Sequence, residues 1–346
     1  MTRVAINGFG RIGRTFFRMA FLHPDFEIVA INDLGDLENL AYLLRYDTAY
    51  GRSDFEVEVK DTNLLLVNGK EVKFSQVRDP LTLPWKEHDI DIVLEATGVF
   101  ASYAKSKAHL EAGAKRVVIS APVKDDPIAA GVEGATVLMG VNDEALNTCS
   151  ISSNASCTTN ATSPLISILK AGIGIEKAVL NTVHAYTATQ SLQDGPSKKD
   201  LRSGRAAAQN IIPTSTGAAV ATTLAHTDLA GKFDGIAIRV PVPVGSIVDV
   251  TFIASRETSV DEVNKVLKDA AESKAWQKLF AVTEEPIVSS DIIGARYASI
   301  ADLAFTRVVG GNLVKVLAWY DNETSYTHTL VEHVAAISKF LSRKES

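Results

Sequence analysis

Short apolar runs alternate with stretches of helical period along the first half of the chain. An apolar run at residues 3–7 predicts a strand, and the helix predicted after it has apolar residues at Ile12, Phe16, Met19 and Ala20. A second strand is predicted at Phe26–Asn32, and further strands at 91–96, 116–120 and 136–141. Residues 55–75 alternate apolar and polar positions, which indicates an antiparallel hairpin. Strands that alternate with helices are typical of an α/β domain with an open parallel sheet.

The second half of the chain has longer strands with alternating apolar positions, which are typical of a mostly antiparallel sheet with one face on helices. These strands are predicted at 178–184, 234–240, 247–255 and Leu313–Tyr320. Helices are predicted at 215–224 and 259–272, and a terminal helix has apolar residues at Leu330, Val334, Ile337 and Leu341. A length of 346 residues exceeds what one hydrophobic core usually organises, so two domains are expected.

Composition and charge exclude several classes of protein. A hydrophobic content of 46% and a charged content of 22% are those of an ordinary globular protein. The net charge of −6 argues against a nucleic acid or an anionic membrane as partner, since both require a basic face. The chain shows no leader pattern and no apolar run near 18 residues, so we expect a soluble, cytoplasmic protein. Two cysteines, Cys149 and Cys157, give neither a disulfide framework nor a zinc pattern, and the histidines lack metal-ligand spacing.

A glycine-rich turn between the first strand and the first helix predicts a dinucleotide site. The glycines Gly8, Gly10 and Gly13 form a Gly-x-Gly-x-x-Gly motif, and Asp33 follows the second strand 20 residues later. Gly8 would make the tight turn, Gly10 would let a pyrophosphate approach, and Gly13 would allow close helix packing. Asp33 would bind the ribose diol and repel a 2′-phosphate, which favours NAD over NADP. The alternative is a glycine-rich turn with a solvent-facing aspartate.

Other polar residues at strand ends have two interpretations. Thr97 and Ser120 follow predicted strands of the parallel sheet, where they would either adjoin the cofactor or satisfy nearby backbone groups. Residues 190–205 have no clear period and contain the basic cluster Lys198, Lys199, Arg202 and Arg205. This segment would be either an anion-binding or subunit-contact loop, or a solvated charged loop.

Cys157 is the candidate nucleophile. It lies among small hydroxyl residues just before an apolar, helix-like run, and a helix N-terminus stabilises a thiolate. His184 ends a predicted strand 27 residues later, which leaves room for one helix and one returning strand. Taken alone, a cysteine or a histidine is more often a buried structural residue than a catalytic one. Residues 213–217 form a hydroxyl-rich helix start suited to phosphate, and Arg239 and Asn322 lie at the ends of other predicted strands.

Taken together, these segments resemble the phosphorylating, NAD-dependent (type I) glyceraldehyde-3-phosphate dehydrogenases. The matching segments are 6–14 (INGFGRIGR), 153–160 (SNASCTTN), 184–187 (HAYT), 205–217 (RAAAQNIIPTSTG), 239–241 (RVP) and 319–323 (WYDNE). The resemblance implies a Rossmann NAD-binding domain at 1–155 and 327–346, which includes a returning C-terminal helix. It implies an α+β catalytic domain with a mostly antiparallel mixed sheet at 156–326. It also implies a homotetramer, with the loop near 190–205 close to a neighbouring subunit's cofactor.

The resemblance also implies a role for each site residue. Cys157 would be the nucleophile that His184 activates, and together they would convert glyceraldehyde 3-phosphate, NAD and inorganic phosphate to 1,3-bisphosphoglycerate through a thioester. The residues that would contact substrate phosphate or inorganic phosphate are Ser156, Cys157, Thr158, Thr187, Thr216, Gly217 and Arg239. NAD contacts would come from Gly8, Gly10, Arg11, Ile12, Gly13, Asp33, Arg78, Thr97, Ser120 and Asn322. The alternatives are an erythrose-4-phosphate dehydrogenase and a non-catalytic NAD-binding protein.

Three positions depart from the pattern of that family. Ala161 stands where a second cysteine often follows the nucleophile, and Thr189 stands where an acidic residue often follows the HAYT segment. Thr324-Ser325 replaces the common aromatic-glycine pair after Asn322-Glu323. The last change is expected to lie near the cofactor and to affect NAD affinity or pocket shape more than the class of reaction.

Overall fold

The structure is a computed structural model that describes residues 1–197 and 200–344. The chain divides into two compact units, one formed by Met1–Ala155 with Thr327–Ser346 and the other by Ser156–Tyr326. Lys198 and Lys199 of the basic cluster lie outside the described residues.

The first unit contains an α/β sheet whose strands mostly run parallel. The strands of this sheet are β1 (Thr2–Asn7), β2 (Phe26–Asn32), β5 (Val57–Asp61), β6 (Leu64–Val67), β7 (Lys70–Ser75), β8 (Ile92–Glu95), β9 (Arg116–Ile119), β10 (Gly134–Thr136) and β11 (Ile151–Ser153), while β3 (Tyr46–Asp47) and β4 (Gly51–Arg52) pair with each other in a small separate sheet. Its helices are α1 (Arg11–Ala20), α2 (Leu37–Arg45), α3 (Tyr103–Glu111) and α4 (Pro127–Ala130). Over the part of the chain that is described, the sheet order is β10-β11-β9-β8-β1-β2-β7-β6-β5.

The hairpin predicted at 55–75 is a three-stranded antiparallel meander, in which β7 pairs parallel with β2 and so joins the main sheet. The strand predicted at 136–141 is wrong, because pairing ends at Thr136 and resumes only at β11. The side chain of Asn142 accepts from the Leu138 N–H and donates to the Thr136 carbonyl, and Gly140 takes a φ of +78°. A polar side chain therefore captures backbone groups that a strand would have needed.

The second unit is built on a mixed, mostly antiparallel sheet, as the strand pattern predicts. Its elements are α5 (Cys157–Gly172), β12 (Ile175–Ala185), β13 (Ile212–Ser215), α6 (Ala218–Thr223), β14 (Phe233–Val240), β15 (Ser246–Ala254), α7 (Val260–Glu272), β16 (Phe280–Thr283), β17 (Ser299–Val309) and β18 (Leu313–Tyr320). The sheet order is β13-β14-β12-β15-β18-β17-β16, and only the β12–β14 and β16–β17 pairs run parallel among the described strands.

One face of this second sheet forms the core of its unit. Alternate residues of β15 are buried, among them Val248, Val250 and Phe252, and they pack with apolar residues of α5 and α7. On the opposite face Val179 and Ile236 are 60% and 54% exposed. The helix predicted at 215–224 begins only at Ala218, since Ser215 is the last residue of β13 and Gly217 is the N-cap of α6.

The last helix, α8 (Thr324–Lys344), begins in the second unit and continues into the first. Within the first unit, the His333 Nε2 lies 2.8 Å from the Ser152 Oγ, and the Asn154 Nδ2 donates to the Thr329 Oγ1 over 2.9 Å. These buried polar contacts tie the helix to the end of β11. No helix in the described ranges combines the length and apolar character needed to cross a membrane.

Candidate active site

Cys157 is the first residue of α5, and the residue before it caps the helix. The Ser156 Oγ accepts a hydrogen bond from the Thr159 N–H over 3.1 Å, the usual contact of a serine N-cap. The cap fixes where the helix starts, so the Cys157 thiol lies in the first turn. The unpaired N–H groups and partial positive charge of that turn favour a nearby anion.

His184 and Arg239 reach the thiol from two neighbouring strands. His184 lies near the end of β12 and is paired in register with Arg239 of β14, in parallel. The Cys157 Sγ lies 3.3 Å from the His184 Nε2. On its other side the imidazole Nδ1 lies 2.6 Å from the Ala185 carbonyl, and the Arg239 Nη1 lies beside it and donates to that carbonyl over 3.1 Å. The structure thus brings Cys157, His184 and Arg239 into one cluster.

Burial dominates the electrostatics of this cluster. It raises the pKa of the Cys157 thiol, whereas the charge of Arg239 and hydrogen bonds from Thr158 oppose that rise. Burial, together with the nearby charge of Arg239, lowers the pKa of His184 to about 3. Both shifts favour a neutral thiol facing a neutral imidazole, and not the resting thiolate expected from the sequence. When the Nδ1–H donates to Ala185, the Nε2 lone pair is directed at the thiol.

Tyr320 packs against this cluster, and no sequence motif indicates a role for it. Its hydroxyl lies 2.9 Å from both the Thr158 Oγ1 and the Thr182 Oγ1. Its ring meets the His184 ring edge-on, with 5.9 Å between ring centres. A buried tyrosine hydroxyl needs such partners, and this one fixes the residue next to Cys157.

Asn322 is held by a second group of hydrogen bonds in the same unit. Its Oδ1 accepts from the Gly245 N–H over 3.0 Å and from the Ser246 Oγ over 3.1 Å, and that same hydroxyl accepts from the Ala185 N–H. These contacts fix the orientation of the Asn322 amide. Ser246, which connects Asn322 to the strand that holds His184, was not singled out by the sequence pattern because it is one serine at a strand start.

The remaining candidate phosphate residues bond to their own loops. The Thr187 hydroxyl lies 2.9 Å from the Thr189 hydroxyl, and the Thr216 Oγ1 accepts from the Ala218 N–H over 3.2 Å. Gly217 is the exposed N-cap of α6, with no side chain to cap it. Among the described hydrogen bonds, none joins Thr187 or Thr216 to the Cys157 cluster.

The glycine turn of the first unit has the form that a dinucleotide needs. Gly8 has a φ of +98°, and a Cβ there would lie 2.6 Å from the Thr97 nitrogen. A Cβ on Gly13 would collide with the Gly8 carbonyl oxygen, whereas a Cβ on Gly10 would meet nothing within 4 Å. The first and last glycines are therefore required by packing, and Gly10 leaves open space in front of helix α1.

This turn borders a cleft of about 280 Å³ in the first unit. Residues that line it include Gly8, Gly10, Asp33, Arg78 and Thr97. The Asp33 carboxylate accepts from the Phe9 N–H over 2.6 Å and from the Gly35 N–H over 2.8 Å, which fixes it at the end of β2. Each of its oxygens keeps a lone pair for a ribose hydroxyl.

The other candidate cofactor residues, Arg11, Ile12, Gly13, Ser120 and Asn322, do not line this cleft. Arg11 instead forms an ion pair with Asp47 over 2.9 Å. Ile12 is half-buried in the first turn of α1, and Ser120 follows β9, where its N–H donates to the Glu95 carbonyl over 2.9 Å.

Comparison with known proteins gives the family. Residues 2–103 match the family model described as glyceraldehyde 3-phosphate dehydrogenase, NAD binding domain, and residues 156–322 match the model of its C-terminal domain. A glyceraldehyde-3-phosphate dehydrogenase of Clostridium acetobutylicum is 48% identical over 344 residues, which cover 98% of this chain and 99% of that protein. One from Geobacillus stearothermophilus is 47% identical over 338 residues, 97% of this chain and 98% of that protein. Glyceraldehyde-3-phosphate dehydrogenase 1 of Bacillus subtilis is 46% identical, with 97% and 98% coverage. This chain therefore belongs to the glyceraldehyde-3-phosphate dehydrogenase family of NAD-binding oxidoreductases.

Proposed function

We propose that this member of the family oxidises and phosphorylates D-glyceraldehyde 3-phosphate to 1,3-bisphosphoglycerate, with Cys157 as nucleophile and His184 as base. The observation that carries the assignment is the 3.3 Å contact between the Cys157 Sγ and the His184 Nε2 at the start of a capped helix. A thiol within hydrogen-bond reach of an oriented imidazole is the arrangement that nucleophilic catalysis requires.

The first step is attack on the aldehyde. His184 takes the thiol proton, and the sulfur forms a bond to the carbonyl carbon, which gives a hemithioacetal. The developing oxyanion would be stabilised by the Cys157 N–H at the helix start and by the protonated imidazole, and one such donor is worth about 3 kcal/mol. The side chain of Arg239, beside the imidazole, adds a fixed positive charge.

The second step turns the hemithioacetal into a thioester. The imidazolium first returns its proton to the oxyanion, which gives the hemithioacetal hydroxyl and a neutral His184. His184 then removes that hydroxyl proton while the carbon bound to sulfur loses its hydrogen with the bonding electron pair. NAD, when bound, supplies the acceptor for that hydride. Inorganic phosphate then attacks the thioester carbon, the C–S bond breaks, and the Cys157 sulfur leaves with its electron pair to complete the cycle.

Two anions must be held, the phosphate of the substrate and the attacking phosphate. We assign them to the Arg239 guanidinium and to the hydroxyls of Thr158, Thr187 and Thr216, with Ser156 and Gly217 beside them, because a guanidinium gives charge-assisted bonds to phosphate oxygens. Thr158 adjoins Cys157 and Arg239 adjoins His184, whereas the Thr187 and Thr216 hydroxyls would have to turn from their present partners.

The residues of the first unit fit a dinucleotide. Gly10 has no Cβ and leaves space for a pyrophosphate, beside the tightly packed turn at Gly8 and Gly13. The fixed Asp33 carboxylate supplies the hydrogen-bond acceptor that the ribose of NAD needs. Arg78 and Thr97 line the same cleft, and we keep Arg11, Ile12 and Ser120 as contacts proposed from family resemblance. Asn322 is proposed to orient the nicotinamide carboxamide. We also propose a cytoplasmic homotetramer.

One assay tests the assignment directly. Formation of NADH should require both glyceraldehyde 3-phosphate and inorganic phosphate, and NAD should support it far better than NADP. The variant Cys157→Ser should lose turnover by several orders of magnitude and still bind NAD, since the cleft lies in the other unit. Near-normal turnover in that variant would refute the role of Cys157. Faster turnover of erythrose 4-phosphate would favour the alternative dehydrogenase, and NAD binding without any turnover would indicate a binding protein.

A further inference from the structure

A chain of buried polar side chains lies behind the dinucleotide cleft. Trp85, Glu95 and His109 are each no more than 1% exposed, although two of them are titratable. The Trp85 Nε1 donates to the His109 Nδ1 over 3.0 Å, and the His109 Nε2 lies 3.0 Å from the Glu95 Oε2. The Gly-x-Gly-x-x-Gly motif contains none of these residues.

The tryptophan fixes the tautomer of the histidine. An indole N–H can only donate, so the His109 Nδ1 must accept, and a neutral ring then carries its proton on Nε2. That proton points at the Glu95 carboxyl group. His109 is therefore a donor to Glu95, and the donor role is imposed by Trp85.

Among the described residues, every polar group within hydrogen-bond distance of the Glu95 carboxyl group is a donor. The Asn7 Nδ2 donates to Oε2 over 2.6 Å, the Thr97 N–H donates to Oε1 over 2.8 Å, and the Thr97 hydroxyl also donates to Oε1. The His109 Nε2–H is the fourth donor. A buried carboxyl group that faces four donors suits the ionised form, whose charge these bonds compensate.

The bonds continue from Glu95 to the wall of the cleft. The Asn7 Oδ1 accepts from the Asn32 Nδ2 over 2.7 Å, and the Asn32 side chain accepts from the Val77 N–H and donates to the Val77 carbonyl. Asn7, Asn32, Val77 and Thr97 all line the cleft. Glu95 is the last residue of β8, Asn7 of β1 and Asn32 of β2, so the network joins three adjacent strands at their carboxyl ends.

We propose that Glu95 is a positioning residue for NAD, whose buried charge holds the cleft in its binding shape through Asn7 and Thr97. The backbone of Thr97 packs against the Gly8 turn, so its placement sets the width available to the phosphates. An amide at position 95 would set an NH2 group against two of these four donors and release one side of the network. The inference rests on the proposed NAD-dependent function.

The variant Glu95→Gln tests this directly in the full-length protein. Calorimetric titration with NAD should show a Kd raised by about tenfold or more, the effect of losing one buried hydrogen bond. The iodoacetamide reaction of Cys157 without NAD should not change, and kcat at saturating NAD should stay within about threefold of the parent. A raised Kd for NAD with an unchanged thiol reaction and a nearly unchanged kcat would distinguish cofactor positioning from general damage to the fold.

Two further variants keep the result interpretable. Ser152→Ala removes a buried hydrogen bond to His333 in the same unit, away from the residues that line the cleft, so it should lower thermal stability and leave the Kd for NAD unchanged. Trp85→Phe removes the donor that fixes the tautomer of His109, so it should raise the Kd for NAD about threefold. This variant also provides a test if Glu95→Gln does not fold. An unchanged Kd in a folded Glu95→Gln, or in Trp85→Phe, would overturn the inference. Failure of the unmodified protein to bind NAD would instead overturn the proposed function.

Discussion

The Cys157 Sγ lies 3.3 Å from the His184 Nε2, and each atom is placed by a different part of the backbone. A serine-capped helix start fixes the thiol, and the end of a strand fixes the imidazole. The contact holds the nucleophile and its base together before any substrate binds. Burial favours the neutral form of both groups, and the Nε2 atom is the base within hydrogen-bond reach of the thiol, so we expect it to accept the thiol proton during attack.

Replacing His184 should therefore slow both the alkylation of the Cys157 thiol and the turnover of substrate. His184→Asn should lower kcat by about 10²–10⁴, the usual contribution of a general base. Inactivation by iodoacetamide should need a higher pH in this variant, because burial raises the pKa of Cys157 and no base remains within reach of the thiol. The rate of inactivation measured against pH checks this.

His226→Asn is the matched control, since this histidine lies in the same unit but contacts Ser167 rather than the thiol. Its pH profile should follow that of the parent. Coincident profiles for the parent and His184→Asn would show that the imidazole does not activate Cys157.

Tyr320→Phe should lower both the stability of the second unit and kcat. The change leaves the Thr158 and Thr182 hydroxyls without a common partner, which should cost about 1–3 kcal/mol in the free energy of unfolding. Thr158 adjoins Cys157, so kcat should also fall. Tyr103→Phe in the other unit removes a buried hydroxyl that is bonded to Thr136, and it should lower stability without changing kcat. Equal kcat values for the two variants would show that Tyr320 acts on stability alone.

Much of the fold could be predicted from the sequence where the local pattern and the packing agree. Phe26–Asn32 and Leu313–Tyr320 have the same bounds in the pattern and in the structure, because each is an apolar run that lies in the middle of a sheet. The strand predicted at 136–141 failed because the side chain of Asn142 competes for backbone groups, a contact that periodicity does not contain. Strand β17 was missed since its apolar residues follow no simple alternation, as its broken register with β18 shows.

Candidate site residues that belong to a sequence motif could be predicted from the sequence. Residues that support the site through hydrogen bonds to distant parts of the chain could not. Cys157, His184 and Asp33 stand in short patterns that carry chemistry on their own. Tyr320 and Glu95 are single polar residues at strand ends, and their partners lie far away along the chain. Only the folded backbone brings these partners together.

The serine that replaces a glycine after Asn322-Glu323 has a structural use. The Ser325 hydroxyl accepts from the Asp321 N–H and donates to the Ala295 carbonyl, both over 3.0 Å. Asp321 precedes Asn322, so these bonds brace the turn that carries the Asn322 amide. Ser325→Gly should raise the KM for NAD severalfold with little change in the KM for phosphate, because the amide loses part of its support. Steady-state kinetics with each substrate varied in turn checks this, and equal effects on both KM values would contradict it.

Acid should destabilise the first unit through His333. Burial lowers the pKa of His333 to about 3, whereas an unfolded histidine titrates near about 6.5. Stability from this group is therefore complete above about pH 6.5 and is lost as the pH falls toward about 3, by up to about 1.4 kcal/mol per pH unit. His333→Gln should flatten the fall in the urea midpoint between about pH 7 and about pH 5, where the parent loses about 2 kcal/mol from this residue. Ser152→Ala removes the hydrogen bond but keeps the titratable ring, so it should be less stable at every pH and retain the slope of the parent. If the urea midpoints of the parent and His333→Gln fall in parallel with pH, protonation of His333 does not cause the loss of stability in acid.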